Sequence, residues 1–196
     1  MRTSRQPRKR TMRSGTITSI TLAIGILGAS VAAHAAESER RIRIDVEGGG
    51  MPGGSNGVTA GPAVGIGVGY ALTDHLELGA NAQATEDINI FDRSIGFNSV
   101  TVGGRYYVLG RSRAVRPWLI GQGGWYQGAV DDSKLFGPTT HREDSGGGVN
   151  VGAGFDVPVG KLVSLGTDIR WNQTIGVLND PGFLTTLATV AFHFGP

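Results

Sequence analysis

From residue 41 onward the chain alternates apolar and polar residues with a period of two, in eight separate runs. A period of two is the mark of a strand whose two faces meet different surroundings. The runs are Arg41–Glu47, Pro62–Leu72, Leu76–Thr85, Ser99–Leu109, Arg116–Gln127, Gly148–Val157, Leu162–Gln173 and Phe183–Phe194. In the first, Ile42, Ile44 and Val46 oppose Arg43, Asp45 and Glu47; in the sixth, Val149, Val151, Ala153, Phe155 and Val157 oppose Asn150, Gly152, Gly154 and Asp156. The fifth run is the least regular, because Trp118, Leu119, Ile120 and Trp125 do not sort onto one face. The last run, FLTTLATVAFHF, sets Leu184, Val190 and Phe192 against Thr185, Thr189 and His193. A terminal strand of this kind needs a partner. If that partner is the first strand, the sheet closes and has no edge.

The connections alternate in length. Thr73–His75, Gly110–Val115 and Pro158–Lys161 are short; Gly48–Gly61, Glu86–Asn98, Gly128–Gly147 and Thr174–Gly182 are long. With eight strands the short turns share one side and the long loops the other. That asymmetry, with strands of about 10 residues, fits a barrel crossing a bilayer, with periplasmic turns and extracellular loops. The expected fold class is all-β: an eight-stranded antiparallel up-and-down transmembrane β-barrel, with Phe183–Phe194 closing onto Arg41–Glu47.

Composition decides which face looks outward. A soluble ligand-binding barrel would put the polar set in water and stud it with lysine. Here the lysines are Lys9, Lys134 and Lys161, and no strand holds one. The polar set carries many glycines instead, which suits a cramped interior. It also carries Arg41, Arg43, Arg105 and Arg170 against Asp45, Glu47, Glu77, Asp156 and Asp168, and opposite charges in a low-dielectric lumen must pair. Aromatics near strand ends (Tyr70, Trp171, Phe192, Phe194) suit interfacial girdles.

The first 35 residues read differently. Six basic residues and no acid lie in residues 1–15, followed by an apolar run from Ile17 to Ala33 and the small-residue site Ala33-His34-Ala35. This is a secretory signal peptide, with translation starting at Met1 or Met12. The domain division is therefore 1–35 signal peptide and 36–196 barrel, exported to a Gram-negative outer membrane. Whole-chain charge is +2 and pI about 9.2. The basic excess belongs to the leader, and the mature chain is net acidic, so the pI is no argument for nucleic-acid binding. Cysteine is absent. No disulfide or thiolate metal site can form.

The segments GVGYALTDHLELGANAQ, VGGRYYVL, RPWLIGQGGW and GGGVNVGAGFDVPVGKLVSLGTDIRW resemble the OmpA-like outer-membrane β-barrel domain, often labelled porin-family protein. The resemblance runs from Arg41 to Phe194. It implies a single eight-stranded barrel in contact with outer-membrane lipid and lipopolysaccharide. It also implies assembly by the barrel-assembly machinery, which reads an aromatic at the end of the closing strand. The family usually ends on that aromatic, whereas here Gly195 and Pro196 follow Phe194.

Eight strands enclose a space that side chains can fill. Arg43, Asp45, Glu77, Arg105, Asp156, Asp168 and Arg170 are the candidate lumen residues, expected to form a structural ion-pair network around a plugged or very narrow lumen. A gate or ion path through Glu77, Arg105, Asp168 and Arg170 is the alternative use. Some eight-stranded barrels modify lipid A, and a hydrolase of that kind needs a serine beside a histidine. His75 lies in a turn, His141 in a loop and His193 at the end of the last strand, with no His-x-Ser pattern. No catalytic residue, cofactor or metal ligand is assigned. His141, Glu143, Asp144, Asp131 and Asp132 read as solvated loop charge. The function expected is structural or surface-interacting, with an extracellular ligand met through the loops, Gly128–Gly147 above all. A lipid A-modifying barrel enzyme and a soluble ligand-binding β-barrel are the alternatives.

Overall fold

The computed structural model describes residues 42–86, 93–111, 113–132, 140–159 and 162–195. The leader, the choice of start codon and Arg41 lie outside these residues. Eight strands follow in chain order: β1 (Ile42–Gly54), β2 (Gly61–Ala71), β3 (Leu76–Glu86), β4 (Arg93–Tyr107), β5 (Arg116–Asp132), β6 (Thr140–Pro158), β7 (Val163–Ile175) and β8 (Gly182–Phe194). Each pairs antiparallel with its sequence neighbour, and β8 pairs with β1, so the sheet is a closed barrel. At the seam Ile42 stands opposite Phe194, Val46 opposite Val190 and Glu47 opposite Thr189. The pairing slips once, between Gly50 and Gly53.

The strands are staggered. Starting at Ile42, successive partners are Tyr70, Leu78, Gly104, Gly121, Val151, Trp171 and Leu184, and the path returns to β1 at Gly53 rather than Ile42. A closed sheet needs such a displacement, because its strands tilt against the barrel axis.

The alternation sorts as the sequence indicates. Val46, Val64, Leu78, Val102, Val151, Ile169 and Val190 are exposed on the outer wall, while Arg43, Asp45, Glu47, Glu77, Arg105, Asp156, Asp168 and Arg170 are buried in the lumen. Exposed aromatics form two belts. Tyr106, Phe155, Phe192 and Phe194 lie toward the short turns; Trp125 and Trp171 lie toward the other end. β5 also alternates cleanly, but its inward set includes large apolar and aromatic residues: Trp118, Ile120 and Tyr126 are buried, and Leu119 and Trp125 are exposed. Its irregular reading came from two unlike apolar environments on opposite faces of one strand.

The strands outrun the alternation at the long-loop end. β1 continues through the glycines to Gly54, β4 begins at Arg93, β5 reaches Asp132 and β6 starts at Thr140. Most of Gly128–Gly147 is therefore a paired hairpin and not a loop, with Asp131 opposite His141 and Ala129 opposite Glu143. Beyond the lipid band the outer face meets water while the inner face carries Met51, Ile95, Phe97 and Val130, so the apolar–polar sense of the membrane band is reversed or lost while backbone hydrogen bonding continues. β3 ends opposite Gly96 and β7 opposite Gly147, so β4, β5 and β6 rise above their neighbours as a three-stranded wall.

Candidate functional site

Inward-facing residues fill the lumen in three layers. The layer nearest the short turns is charged. Arg43 lies at its centre: Nε donates to Asp45, Nη1 to Asp156 at 2.7 Å and Nη1 also to the Tyr107 hydroxyl at 2.6 Å. Arg105 joins the same cluster, with Asp45 at 3.4 Å and Glu77 at 3.3 Å, and stacks its guanidinium 4.3 Å from the centre of the Trp118 ring. Arg111 reaches Glu77 at 3.9 Å from the β4–β5 turn. Arg170 heads a second group, with Glu47 at 2.5 Å and Asp168 at 2.8 Å. Asn81 donates to the other Glu47 oxygen at 3.1 Å.

All seven candidate lumen residues are thus inside the barrel. Arg43, Asp45, Glu77, Arg105 and Asp156 share one cluster; Asp168 and Arg170 belong to the second. Glu47, Tyr107, Trp118 and Asn81 complete these clusters, and they were missed as site residues. Glu47 was legible from its place in the inward set of β1. Tyr107 was legible in the same way, on the alternate face of β4 that holds Arg105, whereas Trp118 was hidden because β5 carries large apolar residues on both faces.

Glycines on the inward faces make the room. A Cβ at Gly69 would stand 2.5 Å from Glu77 Oε1, and one at Gly166 would stand 2.4 Å from Asp156 Oδ1. The carboxylates lie across these bare backbones. Arg170 Nε and Nη1 and Asp168 Oδ1 have no protein partner. A cavity of about 20 Å³ beside Asp45, Glu77, Arg105, Asn81 and Arg170 offers room for about one water molecule.

The middle layer is polar and uncharged. Thr101 donates to Gln122 at 3.1 Å, Asn150 to Gln122 at 3.3 Å, Tyr126 to Asn172 at 3.3 Å and Asn172 to Thr185 at 3.3 Å. The outer layer is apolar: Met51, Val58, Ile95, Phe97, Val130, Val177, Leu178 and Phe183 bury one another above the Tyr126 ring. Phe97 and Phe183 stack with ring centres 4.6 Å apart. Val177 and Leu178 come from the β7–β8 loop, which folds inward over the mouth.

His75 lies in the β2–β3 turn, its Nδ1 2.7 Å from the Tyr107 carbonyl oxygen. His193 faces the lumen, where its Nε2 is 2.8 Å from the Ser164 hydroxyl. This serine–histidine pair is invisible in the sequence, since register brings together residues from β7 and β8. Both are buried, and His193 Nδ1 has no hydrogen-bond partner. The pair faces the lumen, on the side of the wall away from lipid. His141 lies on the projecting hairpin beyond the lipid band, its ring nitrogens 2.8 Å from Asp131 and 2.9 Å from Glu143. These carboxylates, Glu143 first, raise its pKa above the ordinary histidine value. Among the described residues, no group of three or more His, Asp or Glu side chains is arranged to hold a metal ion.

A family model described as the outer membrane protein beta-barrel domain matches residues 19–194. Among curated proteins nothing matches. Solved structures share the fold at low identity. Neisserial surface protein A is 18% identical with a TM-score of 0.59, over 81% of this chain and 98% of that one. Ail, the attachment invasion locus protein of Yersinia pestis, is 14% identical with a TM-score of 0.56, over 80% and 99%. The N-terminal β-barrel domain of Pseudomonas aeruginosa OprF is 16% identical with a TM-score of 0.53, over 79% and 97%.

Proposed function

The chain belongs to the outer membrane protein beta-barrel domain family, and from that membership we propose that it acts as a sealed barrel whose role is structural or surface-interacting. It contacts lipid and lipopolysaccharide through its outer wall and an external ligand through the β5–β6 hairpin. Residues 1–35 direct its export and are removed, and the barrel-assembly machinery inserts the rest. One observation carries the sealed-barrel reading. Three stacked layers of side chains, ionic, polar and apolar, fill the lumen of an eight-stranded barrel, whose bore is scarcely wider than its side chains. The lumen network is structural in this reading. Its glycine-cradled carboxylates and arginines hold each other and the wall.

An extracellular role has a precedent in the fold. The Ail barrel has been solved in complex with the heparin analogue sucrose octasulfate. On the β5–β6 hairpin of this chain Asp131 and Glu143 pair with His141, and Asp144 pairs with Arg142. Among the described residues of the hairpin these three carboxylates outnumber the two basic side chains, so the ligand we propose for it is not a sulfated polyanion.

No enzymatic activity is proposed. The one serine–histidine contact among the described residues faces the lumen, out of reach of a lipid substrate on the outer wall. Labelled lipid A incubated with the purified barrel is expected to be recovered unchanged. Planar-bilayer recording tests the main reading: the barrel should show no large steady conductance, and such a conductance would refute it. Heat-modifiable migration on a gel and recovery with outer-membrane fragments are expected, whereas recovery in the soluble periplasmic fraction would overturn the membrane location.

A further inference from the structure

The short turns carry two kinds of exposed side chain close together. Leu109 and Val115 of the β4–β5 turn and Val159 and Leu162 of the β6–β7 turn are exposed aliphatics. They lie beyond the aromatic belt of Tyr106, Phe155, Phe192 and Phe194. Apolar side chains displayed just past such a belt suit the interfacial zone of a bilayer and not bulk water. Arg111, Arg113 and Arg116 occupy the same β4–β5 connection. Arg113 is exposed and Arg116 half-buried, and Arg116 Nε donates to the Arg113 carbonyl at 3.2 Å. Arg111 turns inward instead, 3.9 Å from Glu77 and over the Tyr107 ring.

Among the described residues of these turns Asp74 is the only acid, and its oxygens are held on backbone. The Arg111 N–H donates to the Asp74 carbonyl and to Asp74 Oδ1, each at 3.1 Å. A Cβ at Gly110 would stand 2.4 Å from Asp74 Oδ2, so the carboxylate lies across a bare glycine. These contacts fasten the β2–β3 turn to the β4–β5 turn. They also occupy the one carboxylate that could have neutralised Arg113. The rim thus presents guanidinium groups beside exposed aliphatics. A guanidinium pairs with a phosphate through a planar fork of N–H donors, and the aliphatics suit the acyl chains next to it. An ammonium headgroup would need a carboxylate to meet it and would face Arg113 and Arg116 here. The rim therefore favours a headgroup whose phosphate charge is not cancelled.

We propose that this rim binds anionic phospholipid, with Arg113 and Arg116 on the headgroup phosphate and the exposed aliphatics of the turns among the upper parts of the acyl chains. A general attraction of the barrel for anions does not account for such a preference. Residues 36–196 are net acidic as a whole, and the opposite end carries Asp131, Glu143 and Asp144. The selectivity belongs to one rim, and so to the leaflet that the short turns reach. The proposal deepens the reading that the outer wall contacts lipid, and it rests on that reading.

The test uses the barrel reconstituted in phosphatidylcholine vesicles with spin-labelled phosphatidylglycerol or spin-labelled phosphatidylcholine, and reads the fraction of label that the protein immobilises. Phosphatidylglycerol should associate about threefold more strongly than phosphatidylcholine at low salt, and the preference should shrink as salt screens the rim. Arg113→Gln, at an exposed position, should lose part of the preference, and Arg113→Gln with Arg116→Gln should bring the two lipids to parity. Arg142→Gln removes a charge from the opposite end and should leave the preference unchanged. Parity in the wild-type barrel, a preference that Arg113→Gln leaves intact, or one that Arg142→Gln lowers equally would overturn the proposal. Heat-modifiable migration reports folding of each variant. A folded barrel that immobilises both lipids alike leaves the membrane reading intact, whereas one that immobilises neither contradicts the membrane reading itself.

Discussion

Arg170 brings a charge into the lumen between Glu47 and Asp168, fully buried with both of them. Buried ions are tolerated only in company, and removing one partner strands the others. Arg170→Met should destabilise the barrel by about 3–5 kcal/mol, seen as a lower urea midpoint for the loss of heat-modifiable migration. Adding Glu47→Gln and Asp168→Asn should recover a good part of that loss, because no carboxylate is then left unpaired. If the triple variant is no better than the single one, Arg170 acts by packing and not by charge. His141 allows a test in water. Its raised pKa means that the folded hairpin favours the protonated ring. The bridge to Asp131 and Glu143 is therefore fully present below the ordinary histidine value, about 6.5, and is lost as pH rises through the raised one. An NMR titration should place His141 above a free histidine, and Glu143→Gln should bring it down. At this scale the sequence was informative wherever charge marked a residue for the lumen. It was silent on the Ser164–His193 contact and on the seating of Val177 and Leu178 in the apolar layer, since neither leaves a trace in the composition of a single strand.

At the scale of elements, β8 is the most demanding piece, because it must satisfy β7 on one edge and β1 on the other. Its two faces differ sharply. Val190 is exposed on the outer wall at 38%, and its neighbour Thr189 is buried at 3%. Val190→Arg should cost roughly 2–4 kcal/mol if the residue lies near mid-bilayer, and Thr189→Arg should be milder if the adjacent Glu47, opposite it across the seam, accepts the new charge. Urea titrations of both variants in the same lipid compare them directly, and the reverse order would invert the face assignment. Strand existence, number and facing were all legible because lipid on one side and a polar lumen on the other impose a period of two. Strand ends were not. β4 and β5 extend past the lipid with Ile95, Phe97 and Val130 turned inward, opposite in sense to the membrane band, and the run from Thr140 to Gly147 carries its hydrogen bonds on a charged and glycine-rich sequence. β5 failed for a different reason: Trp118 and Tyr126 are apolar residues used inside a polar lumen, Trp118 as a platform for Arg105 and Tyr126 as a ring beneath the apolar layer with a hydroxyl in the polar one.

For the whole molecule, the decisive feature is that closure is achieved at two heights by different chemistry. The ionic clusters around Arg43 and Arg170 block the lumen toward the short turns, and the apolar layer with Val177 and Leu178 blocks it toward the long loops. Barriers in series do not average; the tighter one sets the current. Opening either end alone should leave the barrel silent in a planar bilayer. Leu178→Gly thins the outer plug only, leaving Val177, Phe97 and Phe183 in place. Arg43→Ala with Asp156→Ala empties space at the inner end while leaving Asp45 its contact with Arg105, so no cluster member is abandoned. Each of these variants should stay near wild-type conductance, and the triple variant should conduct steadily. A current from Leu178→Gly alone would mean that the ionic layer passes ions, and the gate reading of Glu77, Arg105, Asp168 and Arg170 would then replace the structural one. Silence in the triple variant would assign the seal to what remains: the Arg170 group, the rest of the apolar layer, and the neutral layer of Thr101, Gln122, Asn150 and Asn172 between them.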